Sequence, residues 1–264
     1  MYTLNPKINN QISIWLITMF WIVSFMIVIG GLTRLTDSGL SITQWQLFTG
    51  ILPPLNEEDW ILYFKLYKEI PEFKLQNFNM TMNDFKFIFW WEWIHRILGR
   101  IIGIGFLIPL IYFSFRTKIS KLLNLYLIFL LICFQGFIGW YMVSSGLVDR
   151  VDVSHFRLSA HLFIAFLILS MIFWNYLKVK ENQIISTPIK KGIPFLFLIL
   201  IFVQIIIGAF VSGMDAGKVY NSWPFMGASY FPDDNEFINL FRVSALSDPS
   251  LVQFIHRNLA YVIG

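Results

Sequence analysis

Long apolar runs alternate along this chain with shorter polar links. Five runs reach the roughly 20 residues needed to cross a bilayer core: about 12–32, 86–115, 122–147, 157–177 and 192–214. A sixth begins near Pro249 and is still running at Gly264. The pattern predicts membrane-spanning helices. The link after the first span is long and predicts a helix of its own, with Asn56 as its cap, Glu57, Glu58 and Asp59 in its first turn, and Pro71 beyond its end. Trp60, Ile61, Phe64 and Tyr67 recur there at helical spacing, which predicts a helix lying on the membrane surface; a lid over a site is the alternative.

Composition sharpens the class. Hydrophobic residues make up 56% of the 264 and charged residues 14%, against about 25% charged in soluble chains. The net charge of +4 therefore bears on membrane orientation and gives no reason to expect nucleic acid as a partner. Arg116, Lys118 and Lys121 fill one short link, and Lys178, Lys180, Lys190 and Lys191 another, where Glu181 is the single acid; Lys7 precedes the first span. The other carboxylates fall on the opposite side, so the N-terminus is expected inside. Met1 to Gln11 is too polar and short for a cleaved signal peptide. The single cysteine, Cys133, lies in an apolar run and excludes an internal disulfide.

The chain also repeats itself. Gly30, Asp37, Gly39, Trp45 and Pro54 recur as Gly208, Asp215, Gly217, Trp223 and Pro232, all at a spacing of 178. The following span of each copy opens on Ile-His-Arg, at 94–96 and 255–257, where the spacing drops to 161 because the second outer link is shorter by 17. First and fifth spans run in the same direction, as do second and sixth, so the repeat is parallel. The fold expected is an all-α polytopic membrane protein built from two four-helix bundles. Residues 1–180 form the N-terminal bundle and 181–264 the start of a C-terminal one. Eight spans are expected in the complete protein, with about six present here and the chain truncated at its C-terminal end.

Candidate chemistry gathers at the outer ends of the even-numbered spans. His95, His161 and His256 lie one to three turns below the outer surface, and imidazoles facing one another within a bundle are a usual way to hold a haem or metal. His95 and His161 are expected to face each other; His256 is expected to have its partner beyond Gly264. His155 reads as a solvated loop residue. Arg96 and Arg257 follow two of the histidines and suit haem propionates, with snorkelling to lipid phosphates, or for Arg96 an ion pair with Glu92, as alternatives. Glu92 precedes His95 by three residues, whereas Gln253 holds that place before His256. An acid in only one copy suggests that one half holds a cofactor and the other performs proton or radical chemistry.

With these residues in view, the chain resembles the haem A synthase family in its proteobacterial and mitochondrial form. The resemblance rests on Gly30-Gly31-Leu32-Thr33-Arg34-Leu35-Thr36-Asp37-Ser38-Gly39-Leu40-Ser41, Glu92-Trp93-Ile94-His95-Arg96, Ser154-His155-Phe156-Arg157-Leu158-Ser159-Ala160-His161-Leu162 and Gln253-Phe254-Ile255-His256-Arg257. It implies an eight-helix enzyme that oxidises a methyl of haem o to the formyl of haem a, through two hydroxylations and loss of water. It implies haem b as cofactor on the C-terminal side, with His256 an axial ligand. It implies that His95 and His161 hold the substrate haem with Glu92 catalytic beside them. The membrane is then a bacterial inner membrane or mitochondrial inner membrane, and the partners haem o, an electron donor, haem o synthase and cytochrome oxidase assembly factors, besides membrane lipids. The cysteine pair of the Gram-positive form is lacking. A b-type cytochrome that only passes electrons is the rival reading; it predicts matching ligand sets in both halves. A transporter would place broken helices near the midplane.

Overall fold

In the computed structural model, which describes residues 6–45, 49–180 and 192–264, the apolar runs are helices. They are α1 (Pro6–Leu35), α4 (Met82–Ser114), α5 (Leu123–Asp149), α6 (His155–Lys180) and α7 (Gly192–Gly213), and these five have the length and apolarity to cross a membrane. Two shorter helices, α2 (Glu57–Tyr67) and α3 (Pro71–Leu75), stand in the first outer link, and α8 (Pro249–Ile263) ends the chain. The basic residues Lys190 and Lys191, and the acid Glu181, lie outside the described residues.

Local chemistry explains where these helices begin. Asn56 Oδ1 accepts the Asp59 N–H at 2.8 Å, with three acids in the first turn of α2. Thr81 and Asp84 form a reciprocal capping box at the start of α4. Asp248 accepts the Leu251 N–H at 3.0 Å, with Pro249 in the first helical turn of α8.

The chain divides into two compact units, one of Met1–Val153 with Ile164–Ile184, the other of Ser154–Phe163 with Ile185–Gly264. The opening turns of α6, which the sequence places in the N-terminal bundle, therefore pack with the second unit. In the first unit α1 and α4 run antiparallel: the Trp15 indole donates to the Gly105 carbonyl at 3.0 Å, and Gly99 and Gly105 give room to Met26 and Met19. Small residues at such crossings let helices approach where lipid removes the hydrophobic drive to associate.

The outer link behaves differently from the expected surface helix. Trp60, Phe64 and Tyr67 turn inward and form one core with Leu40, Ile42, Ile70, Phe85, Ile88 and Phe89. Of the four apolar positions only Ile61 faces outward, 60% exposed. Burying each aromatic stabilises by about 1.5–3 kcal/mol when the alternative is water, so α2 docks as a cap on α4. Pro71 opens α3 rather than merely following α2. In the second unit Ile207 and Phe210 of α7 pack against Val252 of α8.

Candidate functional site

The loop after α1 and the first turns of α4 build one polar cluster. Glu92 is 4% exposed. Its Oε2 accepts from the Ser41 hydroxyl at 2.7 Å and from the Ile42 N–H at 2.8 Å. Its Oε1 accepts from Arg96 Nε at 3.0 Å and Nη2 at 2.5 Å, and the same Nη2 donates to the Ile42 carbonyl at 2.9 Å. The Arg96 guanidinium also lies 5.1 Å from the centre of the Trp45 ring. Glu92 and Arg96 thus make the ion pair that stood as an alternative to haem contact for Arg96, across one helical turn, and both clamp the loop at Ile42.

The second unit repeats the clamp with the acid removed. Arg257 donates from Nη2 to the Tyr220 carbonyl at 2.7 Å and from Nη1 to the Ser222 carbonyl at 2.9 Å. Tyr220 stands 178 residues after Ile42, the spacing of the repeat. Gln253, 5% exposed, donates to the same Tyr220 carbonyl at 2.8 Å, while its own side-chain oxygen is buried without a hydrogen bond. The turns entering the two loops match as well: Asp37 and Asp215 both adopt the left-handed conformation, at φ 49° and 51°, which an aspartate tolerates better than most side chains.

The two repeated histidines sit alike within their units. Each is half-buried and stands against a glycine of the preceding span, His95 against Gly30 and His256 against Gly208. The Gln204 side-chain amide donates to the His256 carbonyl at 3.2 Å and lies 3.4 Å from its Nε2. His256 Nδ1 is buried with no hydrogen bond. His161 lies half-buried in the second turn of α6, in the second unit, and His95 in the first. His155 corrects the expectation of a solvated loop residue. It is the first residue of α6, half-buried, edge-on to Phe210 with ring centres 5.5 Å apart and packed on Gly213. Gly213 lets the α6 backbone approach α7 closely, since a methyl group there would lie 2.9 Å from the His155 Cα.

Two features were invisible in the sequence. Ile42 and Tyr220 act through backbone atoms, so their side chains carry no common signature. Glu72 is 3% exposed; its Oε1 accepts from Tyr67 at 3.2 Å and Asn77 at 3.3 Å, and its Oε2 is buried without a partner. Burial pushes this carboxyl from the ordinary 4.5 up to about 8, against the hydrogen bond from Tyr67, with the nearby Glu92 charge adding to the rise. A cleft of about 40 Å³ borders Trp45 and Arg96, room for water but far too small for a haem. Another concavity, about 490 Å³, is lined by Asp233, Asp234, Asn235, Glu236, Asn239 and Arg242 and includes none of the histidines.

Residues 13–264 match the profile of the COX15-CtaA family, described as cytochrome oxidase assembly protein. The chain is 49% identical to the Heme A synthase of Pelagibacter ubique (strain HTCC1062), covering 100% of this chain and 79% of that protein. It is 44% identical to the Heme A synthase of Maricaulis maris (strain MCS10), over 97% of this chain and 76% of the relative. It is also 44% identical to that of Rickettsia bellii (strain RML369-C), over 97% and 78%. No solved structure matches. A profile spanning nearly all of the chain, and identities above two in five over most of these relatives, show that the chain belongs to the COX15-CtaA family of haem A synthases.

Proposed function

We propose that this protein is a haem A synthase, a membrane oxidoreductase that converts a methyl group of haem o to the formyl group of haem a. The observation that carries the proposal is likeness to Heme A synthases along the whole chain. The duplicated His-Arg clamp, with an acid in one copy only, supports a division of labour between the halves. A pure electron-transfer cytochrome predicts similar sets in both halves, and the Glu92/Gln253 difference counts mildly against it.

The second half is assigned haem b, with His256 as an axial ligand. Its surroundings fit: the ring has a buried nitrogen without a hydrogen bond and no side chain on the residue it faces. Arg257 contributes a cation there, and no carboxylate pairs with it among the described residues. When bound, the haem supplies one-electron chemistry that no side chain of this chain can provide. The first half is assigned the substrate haem o, with His95 and His161 as its ligands and Glu92 as the catalytic carboxylate. Glu92 is held at a fixed position by Ser41, Ile42 and Arg96, so any proton it moves passes at an oxygen already placed. Arg96 neutralises it and keeps the loop closed at Ile42. The same reading places the protein in a bacterial or mitochondrial inner membrane with its N-terminus inside, receiving haem o from haem o synthase and serving cytochrome oxidase assembly.

The test is the haem composition of membranes in which the protein is made together with a source of haem o. Extracted haem a is expected. Haem b alone, with haem o unconverted, would favour the electron-transfer cytochrome instead.

A further inference from the structure

We infer that Gly30 and Gly208 are positioning residues for the histidines, holding the imidazoles of His95 and His256 in place by the absence of a side chain. The inference deepens the assignment of those histidines as haem ligands and rests on it for its functional consequence. A methyl group on Gly30 would lie 3.0 Å from His95 Cε1 and 3.5 Å from Nδ1. One on Gly208 would lie 3.1 Å from His256 Cε1, 3.7 Å from Nδ1 and 3.9 Å from Nε2. Ordinary carbon contacts are about 3.5–4.0 Å, so in each unit the ring must yield by several tenths of an ångström. The same ring edge meets the same helix position in both copies, each contact lying within a single unit. Other glycines of α1 and α7 differ from one another: on Gly213 a methyl group would meet the β-carbon of His155 at 2.8 Å, a contact with the α6 backbone rather than with an imidazole ring. A methyl group on Gly31 or on Gly192 meets nothing within 4 Å.

The physical consequence follows from how a ligand binds iron. Axial bonds tolerate little displacement, and groups that orient a ligating histidine commonly matter 10–100-fold in affinity, to order of magnitude. Alanine is also the better helix former, so Gly30→Ala and Gly208→Ala leave helix formation intact while moving the rings. The two variants separate by half: Gly208→Ala acts on haem b, Gly30→Ala on conversion of haem o.

The experiment compares G30A, G208A, the controls G31A and G192A, and the reference variants H95A and H256A, all as the full chain in membranes supplied with haem o. Three quantities are read: haem b content with its low-spin spectrum, haem a formed, and the histidine Hε1 resonances of the purified protein in micelles. G208A is expected to weaken haem b retention at least about tenfold and to shift the His256 resonance. G30A is expected to lower haem a formation by a similar factor, shift the His95 resonance and leave haem b in place; both controls should match the parent. If H95A and H256A are defective while G30A and G208A match the controls, the inference is overturned and the ligand assignment stands. If H95A and H256A change neither haem content nor conversion, the ligand assignment fails, and with it the role given to the glycines. Should G208A fail to accumulate, the double variant G208A/H256A decides: restored accumulation shows the clash with the ring, and continued loss overturns the inference.

Discussion

Glu92 and Gln253 occupy the same helix position in the two copies of the repeat, yet the atoms they meet differ. Glu92 accepts from four donors, whereas Gln253 donates to a carbonyl. Replacing Glu92 with Gln therefore does not reproduce the second half's arrangement. The amide turns an acceptor into a donor opposite either Ile42 and Ser41 or Arg96, leaving a buried group unpaired at a cost of about 1–3 kcal/mol. The proposed catalytic role adds a larger effect on turnover. Glu92→Gln is expected to lower haem a formation at least about tenfold while haem b content stays within the parent's range, both read by extraction and chromatography of membrane haems. Near-normal conversion would reduce Glu92 to a clamp for Arg96 and the Ile42 loop.

Among the elements, the cap formed by α2 and α3 has an unusual response to pH built into it. Glu72 is buried in the folded cap with a pKa of about 8, against an ordinary 4.5. Between those values the folded cap retains a proton that the unfolded segment has released. Its contribution is complete below about pH 4.5, declines as pH rises and is lost by about pH 8. Tyr67 shares the network, and its own hydroxyl is raised by burial and by Glu72, so it stays protonated over this range. Limited proteolysis within residues 57–75 should therefore be faster at pH 8.5 than at pH 5.5 when corrected for protease activity. Glu72→Gln keeps the acceptor oxygen for Tyr67 and Asn77 and should flatten that dependence. An unchanged slope in the variant would assign the pH response to another group.

For the whole molecule, the parallel repeat predicts that damage to the two halves has different consequences. His256→Ala should remove haem b, while His95→Ala and His161→Ala should stop haem a formation with haem b retained; loss of haem b from all three would deny the division of labour. Orientation is tested separately. With Cys133 replaced by Ser, a cysteine at Glu57 should react with a membrane-impermeant maleimide in intact cells, and one at Lys118 only after permeabilisation. The reverse pattern would invert the topology drawn from the basic links.

The spans, their order and most of their ends were legible in the residues alone. A run of some 20 apolar residues can cross a bilayer only as a helix that satisfies its own backbone, and caps such as Asn56 at α2 act within one turn. The repeat was legible because Gly30, Asp37 and their counterparts serve conformations that few residue types allow: a glycine where a ring must pass, an aspartate where φ is positive. Tertiary structure decided the rest. It turned the stripe of Trp60, Phe64 and Tyr67 from the membrane surface onto Phe85 and Phe89, since spacing defines a face without naming what covers it. It placed His155 in a helix against Phe210 and buried Glu72 beside Tyr67. It also brought Arg96 to Ile42 and Arg257 to Tyr220, contacts made to backbone carbonyls. Every residue carries such a carbonyl, so only the folded chain decides which ones these arginines reach.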